Sequence, residues 1–238
     1  MLPAGVFECS TPSSYFTFQP GRKHQLNVKE ATGDDFCDPA SKSISGYMDI
    51  KGSDYDENGE DKHLFFWMFE KREAHLVEDA SSIPFVVWLT GGPGCSSTLA
   101  LLTENGPCSV NDDGKTTTVN PYSWTETAHV LWLDQPAGVG FSYGEETDVN
   151  EQMVAEDAYY FLQAFMQTYP EYADSPLYIV GESYAGHYVP SISHRIYEGN
   201  KKLPADGLIK LNYAGLAIGN GLTSPEKQYP AYPDSKFL

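Results

Sequence analysis

Four short apolar runs constrain this chain more than anything else in it. They are Phe85-Val86-Val87-Trp88-Leu89, Val130-Leu131-Trp132-Leu133, Leu177-Tyr178-Ile179-Val180 and Leu216-Ala217-Ile218. None alternates apolar with polar residues, so each reads as a strand covered on both faces. Such strands need helices to cover them. The clearest helical pattern lies between the second and third runs, where Val154, Ala158, Phe161, Leu162 and Phe165 form one apolar stripe. Asp148 is placed to cap that helix, Glu151 three residues on completes a box-like arrangement, and Pro170 ends it. Buried strands joined through helices imply an α/β fold with a largely parallel sheet.

Upstream, residues 45–50 and 63–69 read as two strands of an antiparallel hairpin that starts the sheet, joined by an acidic loop over residues 54–61. Residues 1–35 are rich in turn formers, as in Thr11-Pro12-Ser13-Ser14 and Thr32-Gly33-Asp34-Asp35, and read as an irregular N-terminal segment. No repeat, low-complexity tract or linker divides the chain, so residues 1–238 read as part of one domain.

The third apolar run continues into Gly181-Glu182-Ser183-Tyr184-Ala185-Gly186, with a helical segment after it. Strand, Gly-x-Ser-x-Ala and helix is the context of a nucleophile elbow. Small residues at 181 and 185 let strand and helix approach closely, and the serine oxygen is presented near a helix N-terminus, where negative charge is stabilised. The alternative is an ordinary strand-to-helix turn. The first run ends in Thr90-Gly91-Gly92-Pro93-Gly94-Cys95-Ser96-Ser97. A phosphate-cradling loop would need a Lys-Ser/Thr sequel or dinucleotide spacing, and both are missing. Backbone N–H groups unobstructed by side chains suit an oxyanion loop instead, with a tight structural turn as the bland alternative.

The net charge of −18 excludes the basic footprint of a nucleic-acid binder and disfavours anionic membranes as partners. The acidic loop reads as a solvated surface; life in an acidic compartment is the other reading. No apolar stretch approaches the roughly 20 residues needed to cross a bilayer. Met1-Leu2-Pro3-Ala4-Gly5 carries no signal-peptide pattern, which leads us to expect an incomplete N-terminus. Cys9, Cys37, Cys95 and Cys108 form no metal-ligand spacing, so neither metal nor cofactor is expected. Their spacing leaves buried thiols and three full disulfide pairings open.

The elbow, the glycine loop and the stretch Leu131-Trp132-Leu133-Asp134-Gln135-Pro136-Ala137-Gly138-Val139-Gly140-Phe141-Ser142-Tyr143 together resemble the serine carboxypeptidase family of the α/β-hydrolase fold. Cys37-Asp38-Pro39, Ser45-Gly46-Tyr47, Phe66-Trp67-Met68-Phe69-Glu70 and Ala217-Ile218-Gly219-Asn220-Gly221 match as well, in collinear order over about residues 36 to 225. The resemblance implies a mixed, mostly parallel central sheet, cut short before the cap insertion and the C-terminal strands. It implies Ser183 as nucleophile and the backbone N–H groups of Gly92 and Tyr184 as the oxyanion hole. It further implies that Glu104 and Glu182 receive the C-terminal carboxylate of a peptide or protein, with Thr90, Gly91 and Trp88 in support. Thr90 departs from the family's usual Asn, and a hydroxyl offers one donor where an amide offers two. The family is lysosomal, vacuolar or secreted, which favours disulfides. The cysteine matching Cys95 usually pairs beyond this stretch of sequence, so Cys95 is expected to be unpaired.

The family's triad Asp and His lie in C-terminal motifs. Only His187 and His194 follow Ser183, and no histidine follows Asp206 or Asp234. His187 shares the helix after the elbow, but an elbow aims its serine away from that helix, so a structural role is expected. The chain is therefore expected to be inactive alone. A relative using the scaffold for esterase or acyl-transfer chemistry is the competing reading, which a carboxylate-binding Glu104/Glu182 pair disfavours.

Overall fold

The computed structural model describes residues 13–19, 22–31, 37–51, 61–146, 148–203 and 207–235. In chain order, β1 (Ser13–Gln19), β2 (Arg22–Ala31), β3 (Ser43–Lys51) and β4 (Asp61–Phe69) lead into β5 (Phe85–Leu89) and helix α1 (Ser97–Thr103). A small ribbon of β6 (Cys108–Val110) and β7 (Thr117–Val119) precedes β8 (His129–Leu133) and β9 (Tyr143–Gly144). Helix α2 (Glu151–Thr168), β10 (Leu177–Glu182), α3 (Ala185–Lys201), β11 (Tyr213–Gly219) and α4 (Pro225–Ser235) complete the order.

The main sheet runs β1-β2-β3-β4-β8-β5-β10-β11, with β9 beside β4. It is parallel from β8 through β5 and β10 to β11. From β4 outward it is antiparallel. The hairpin expected at the start of the sheet is β3 and β4.

The N-terminal expectation fails. Residues 1–35 are not simply irregular, because β1 and β2 lie within them. β2 runs antiparallel along β3 from Gln25↔Asp49 to Ala31↔Ser43. Its partner is the next strand, but Leu26 and Val28 are only a weak alternation inside a polar stretch. Cys9 and residues 54–60 of the acidic loop lie outside the described residues.

The central strands are buried because successive residues feed two different cores. Phe85, Val87 and Leu89 face α2 and α3, meeting Leu131, Phe161, Phe165, Ile179, Val189 and Ile192. Val86 and Trp88 face α1, meeting Leu101, Val130, Trp132 and Val180. Every residue of β5 and β8 is buried. The fourth apolar run behaves differently: β11 is the sheet's edge among the described residues, and Leu216 on it is 46% exposed. It pairs with β10 on one side only, so burial on both faces does not hold there.

The start of α2 also departs from expectation. Asn150, not Asp148, caps the helix, its side-chain oxygen accepting from the N–H groups of Gln152 at 3.0 Å and Met153 at 3.1 Å. Asp148 instead accepts from Lys62 Nζ at 2.6 Å, and Asp157 of α2 accepts from the same nitrogen at 2.9 Å. Lys62 is fully buried on β4. Burial pulls its ammonium down, but Asp157 and Asp148 outweigh that and hold it above the ordinary lysine value. A disulfide, Cys37–Cys108, ties the chain before β3 to the ribbon. Beside it Arg72 binds Asp38, Glu126 and the carbonyls of Pro107 and Asn120.

His129 begins β8 in a buried position, its Nδ1 accepting the Lys71 N–H at 3.1 Å. Burial, aided by the Lys71 charge, pushes it down to about 4 from 6.5. Between those values the unfolded chain binds a proton that the folded chain refuses, so stability falls as pH drops from 6.5 towards 4. The contribution is of order 3 kcal/mol over that window. Urea midpoints measured from neutral to acid pH are expected to fall less steeply in His129→Asn, which keeps an acceptor without the titration. Equal slopes would show that His129 does not carry this loss.

Candidate active site

Ser183 sits where β10 gives way to α3, with a left-handed φ of 57°. A side chain rarely adopts that conformation, which costs on the order of 1–3 kcal/mol unless the surroundings enforce it. Here they do. The Ser183 N–H donates to Gly219 O at 3.0 Å, and its carbonyl accepts from Gly186 N at 3.0 Å and Leu222 N at 2.8 Å. The flanking small residues are required by contact. A Cβ at position 181 would lie 2.3 Å from Leu89 O and 2.6 Å from the Ala185 Cβ. The serine itself is exposed.

The glycine loop leaves β5 beside this turn. A Cβ at Gly91 would lie 2.3 Å from Tyr184 N, 2.7 Å from Glu182 O and 2.9 Å from the Ser183 Cβ. Gly92 and Gly94 have positive φ angles of 108° and 80°. The loop is held by its neighbours: Thr90 N–H donates to Ser97 Oγ at 3.1 Å and Cys95 N–H to Gly91 O at 3.1 Å. Asp134, fully buried at the end of β8, accepts from Ser96 Oγ at 2.7 Å, Thr98 N at 3.1 Å and Phe141 N at 3.0 Å. The Asp134-to-Tyr143 stretch is thereby a brace for the loop, a role its sequence pattern did not disclose.

Glu182, the residue before the nucleophile, meets Glu104 from the end of α1, and the two carboxyls share a hydrogen bond. Burial first, then the charge of Glu104 and that hydrogen bond, raise Glu182 above the usual carboxylate range. Glu104 follows directly on α1, and the next residue is fixed: Asn105 Oδ1 accepts from Trp132 Nε1 at 3.0 Å. Trp88 Nε1 donates to Thr90 Oγ1 at 3.2 Å, and the Trp88 ring stands edge-on to Trp124 at 5.1 Å. The structure thus brings Ser183, Gly91, Gly92, Tyr184 and Glu182 onto two touching loops, with Glu104 beside them and Thr90 and Trp88 beneath the glycine loop.

Two tyrosine side chains extend the site: Tyr188, which was not expected there, and Tyr184, which was expected only for its backbone N–H. The Tyr184 hydroxyl donates to Glu151 Oε1 at 2.6 Å. That bond, with lesser burial, pushes the phenol up to about 12. Tyr188, one turn later on α3, packs edge-on against Tyr184 with ring centroids 5.1 Å apart. Their one-turn spacing was the only sequence signal. Between them and the glycine loop lies a cleft of about 340 Å³, reaching Pro136 and the start of α2. The His187 ring packs on Tyr184, centroids 4.8 Å apart, and no described histidine hydrogen-bonds to Ser183. Cys95 is a free, exposed thiol on the loop. Among the described residues no helix is long and apolar enough to cross a membrane.

A strained serine between a buried parallel strand and a helix, facing a glycine loop from the neighbouring strand, defines an α/β-hydrolase. The family model for serine carboxypeptidases matches residues 34–237. A serine carboxypeptidase-like protein of Oryza sativa subsp. japonica is 46% identical over 180 residues, covering 74% of this chain and 40% of that protein. A vacuolar serine-type carboxypeptidase of Saccharomyces cerevisiae is 42% identical over 191 residues, covering 80% of this chain and 34% of the relative. Among solved structures, Kex1(Δ)p, a prohormone-processing carboxypeptidase from Saccharomyces cerevisiae, superposes with a TM-score of 0.71. It is 31% identical, with 86% of this chain and 45% of that one covered. The chain belongs to the serine carboxypeptidase family, and it spans less than half the length of these relatives.

The packing at Gly91 yields a direct test. Its hypothetical Cβ meets backbone, which cannot swing aside, so Gly91→Ala is expected to destabilise the fold by about 1–3 kcal/mol through overpacking. Chemical denaturation measures it. Gly114, at a turn with φ +62° and no neighbour within 4 Å of the hypothetical Cβ, is the control for conformational strain alone. Equal losses at 91 and 114 would remove the steric argument.

Proposed function

We propose that this chain carries the nucleophile half of a serine-type carboxypeptidase that releases C-terminal amino acids from peptides and proteins. The observation that carries the reading is the Glu182–Glu104 carboxyl pair beside an exposed, strained Ser183. In this reading Ser183 Oγ attacks the carbonyl carbon of the last peptide bond. The carbonyl oxygen takes the negative charge and is held by the N–H groups of Gly92 and Tyr184. The C–N bond then breaks, the proton lost from Ser183 Oγ passes by way of a general base to the released amine, and the acyl group stays on Ser183 until water removes it.

Carboxyl groups beside a substrate carboxylate repel it unless protons are shared among them. With its pKa raised, Glu182 retains a proton at pH values where an ordinary glutamate has lost it. The protonated form donates a hydrogen bond to the substrate carboxylate, with Glu104, Thr90, Gly91 and Trp88 completing or supporting that subsite. Binding weakens as pH rises through the raised value, so the enzyme works on peptides at acid pH. A lysosomal, vacuolar or secretory setting follows, and the vacuolar relative supports it. The measurement is the Michaelis constant for a peptide with a free C-terminus, expected to rise between about pH 4.5 and pH 7.5. A flat profile in active enzyme rejects proton sharing.

A general base must reach the nucleophile, and no described histidine does. We propose that the 238-residue chain alone does not turn over. At about pH 5, a blocked dipeptide is expected to release no C-terminal residue beyond a Ser183→Ala control, whereas the natural protein, if its mass exceeds 26.3 kDa, is expected to release it in a Ser183-dependent way. Ser183-dependent release by the chain alone overturns its inactivity. Cleavage of esters but not of this peptide by the natural protein moves the function to esterase or acyl-transfer chemistry.

A further inference from the structure

We propose that Glu151 is a positioning residue that sets the shape of an acyl-side binding cleft by fixing the ring of Tyr184. This rests on the carboxypeptidase reading above and adds a residue that it does not use.

Glu151 is the first residue of α2, where a capping role was expected. Asn150 already provides that cap. The Glu151 carboxylate turns instead to Tyr184, accepting its hydroxyl at 2.6 Å, while the Glu151 carbonyl accepts from Ser191 Oγ of α3 at 2.9 Å. The segment just before is pinned separately, since Asp148 is held by the buried Lys62. Glu151 is thus anchored by its own carbonyl and by the pinned segment before it, and its side chain reaches the phenol.

The ring held by that arm is a wall of the cleft. The cleft is lined by Pro93 and Gly94 of the glycine loop, Val149 and Val154 from around the start of α2, and Tyr184 and Tyr188. Its volume of about 340 Å³ falls in the range of pockets that hold small ligands. Pro93 follows Gly92 and Tyr184 follows Ser183, so the cleft opens between the two residues that flank the reacting carbonyl. An acyl group bound to Ser183 therefore directs its own side chain at this wall. Tyr184, Tyr188, Pro93, Pro136 and Val154 give the cleft an aromatic and apolar wall that fits a large hydrophobic residue on the acyl side, while Asp148, Asn150 and Glu151 form its polar end. Without Glu151 the ring keeps its contacts with His187 and Tyr188, at 4.8 and 5.1 Å, but loses the one polar bond at its far end.

The test uses the natural full-length protein and blocked dipeptides with phenylalanine or glycine on the acyl side. Glu151→Ala is expected to lower kcat/KM about tenfold for phenylalanine, the equivalent of one hydrogen bond, and to leave glycine within about twofold. Glu151→Gln keeps an acceptor oxygen and is expected to restore most of the loss. For phenylalanine, Tyr184→Phe is expected to lose as much as Glu151→Ala, and the double variant no more than either. Equal losses for both substrates, no rescue by Gln, or additive losses in the double variant each overturn the proposal, by assigning Glu151 a role in folding alone. Wild-type protein that processes neither dipeptide in a Ser183-dependent way fails the underlying reading, and this inference falls with it.

Discussion

The geometry of this site depends on two strands leaving a sheet at the same height. β5 and β10 are parallel neighbours, in register from Leu177↔Phe85 to Gly181↔Leu89. The ladder ends level, so both following loops emerge side by side and must touch. Only a residue without a Cβ fits at Gly91, where the Tyr184 N, the Glu182 carbonyl and the Ser183 side chain all converge. Nucleophile and glycine loop are therefore aligned by backbone hydrogen bonds of the sheet, which are stiffer than any pair of side chains that could do the same work.

The strain at Ser183 is upheld from the opposite side. Among the described residues β11 is the edge of the sheet, yet its end supplies Gly219, and the next turn supplies Leu222, as partners for the serine's own N–H and C=O. The glycine loop has a matching brace in Asp134, and the start of α2 has one in Lys62. Each of these is a buried polar group with several partners. Such groups contribute little net stability against apolar packing of the same volume. What they contribute here is position: each fixes a loop that no hydrophobic contact would hold in a single place.

The strands around the site were legible because their chemistry is local and unmixed. The apolar run 85–89 has the bounds of β5, and the third run begins with β10 at Leu177. Gly-x-Ser-x-Ala was legible for a related reason, since a tight strand-to-helix turn dictates residue size within five positions. The rest depended on partners outside the local pattern. β2 is a strand because β3 lies beside it, and Asp148 lost its capping role to a lysine 86 residues away. Glu151 was visible as a charged residue at a helix start, but nothing local foretold that its acceptor would go to a phenol on the next helix. The Cys37–Cys108 pairing was hidden in the same way, since spacing alone leaves all pairings equal.

One physical effect acts in opposite directions on two unrelated groups. Burial disfavours charge, so it raises Glu182 and lowers His129 to about 4. Glu182 is neutral below its raised value, and His129 is neutral above its lowered one. The fold needs the second condition, because a protonated Nδ1 can no longer accept the Lys71 N–H that it binds at 3.1 Å. Recognition of a substrate carboxylate, in the mode proposed, needs the first. The two overlap only from about pH 4 up to the raised value of Glu182. In the mode proposed, the acid side of this overlap is governed by a strand of the core and the alkaline side by the site, so a variant at either residue shifts one side and leaves the other in place.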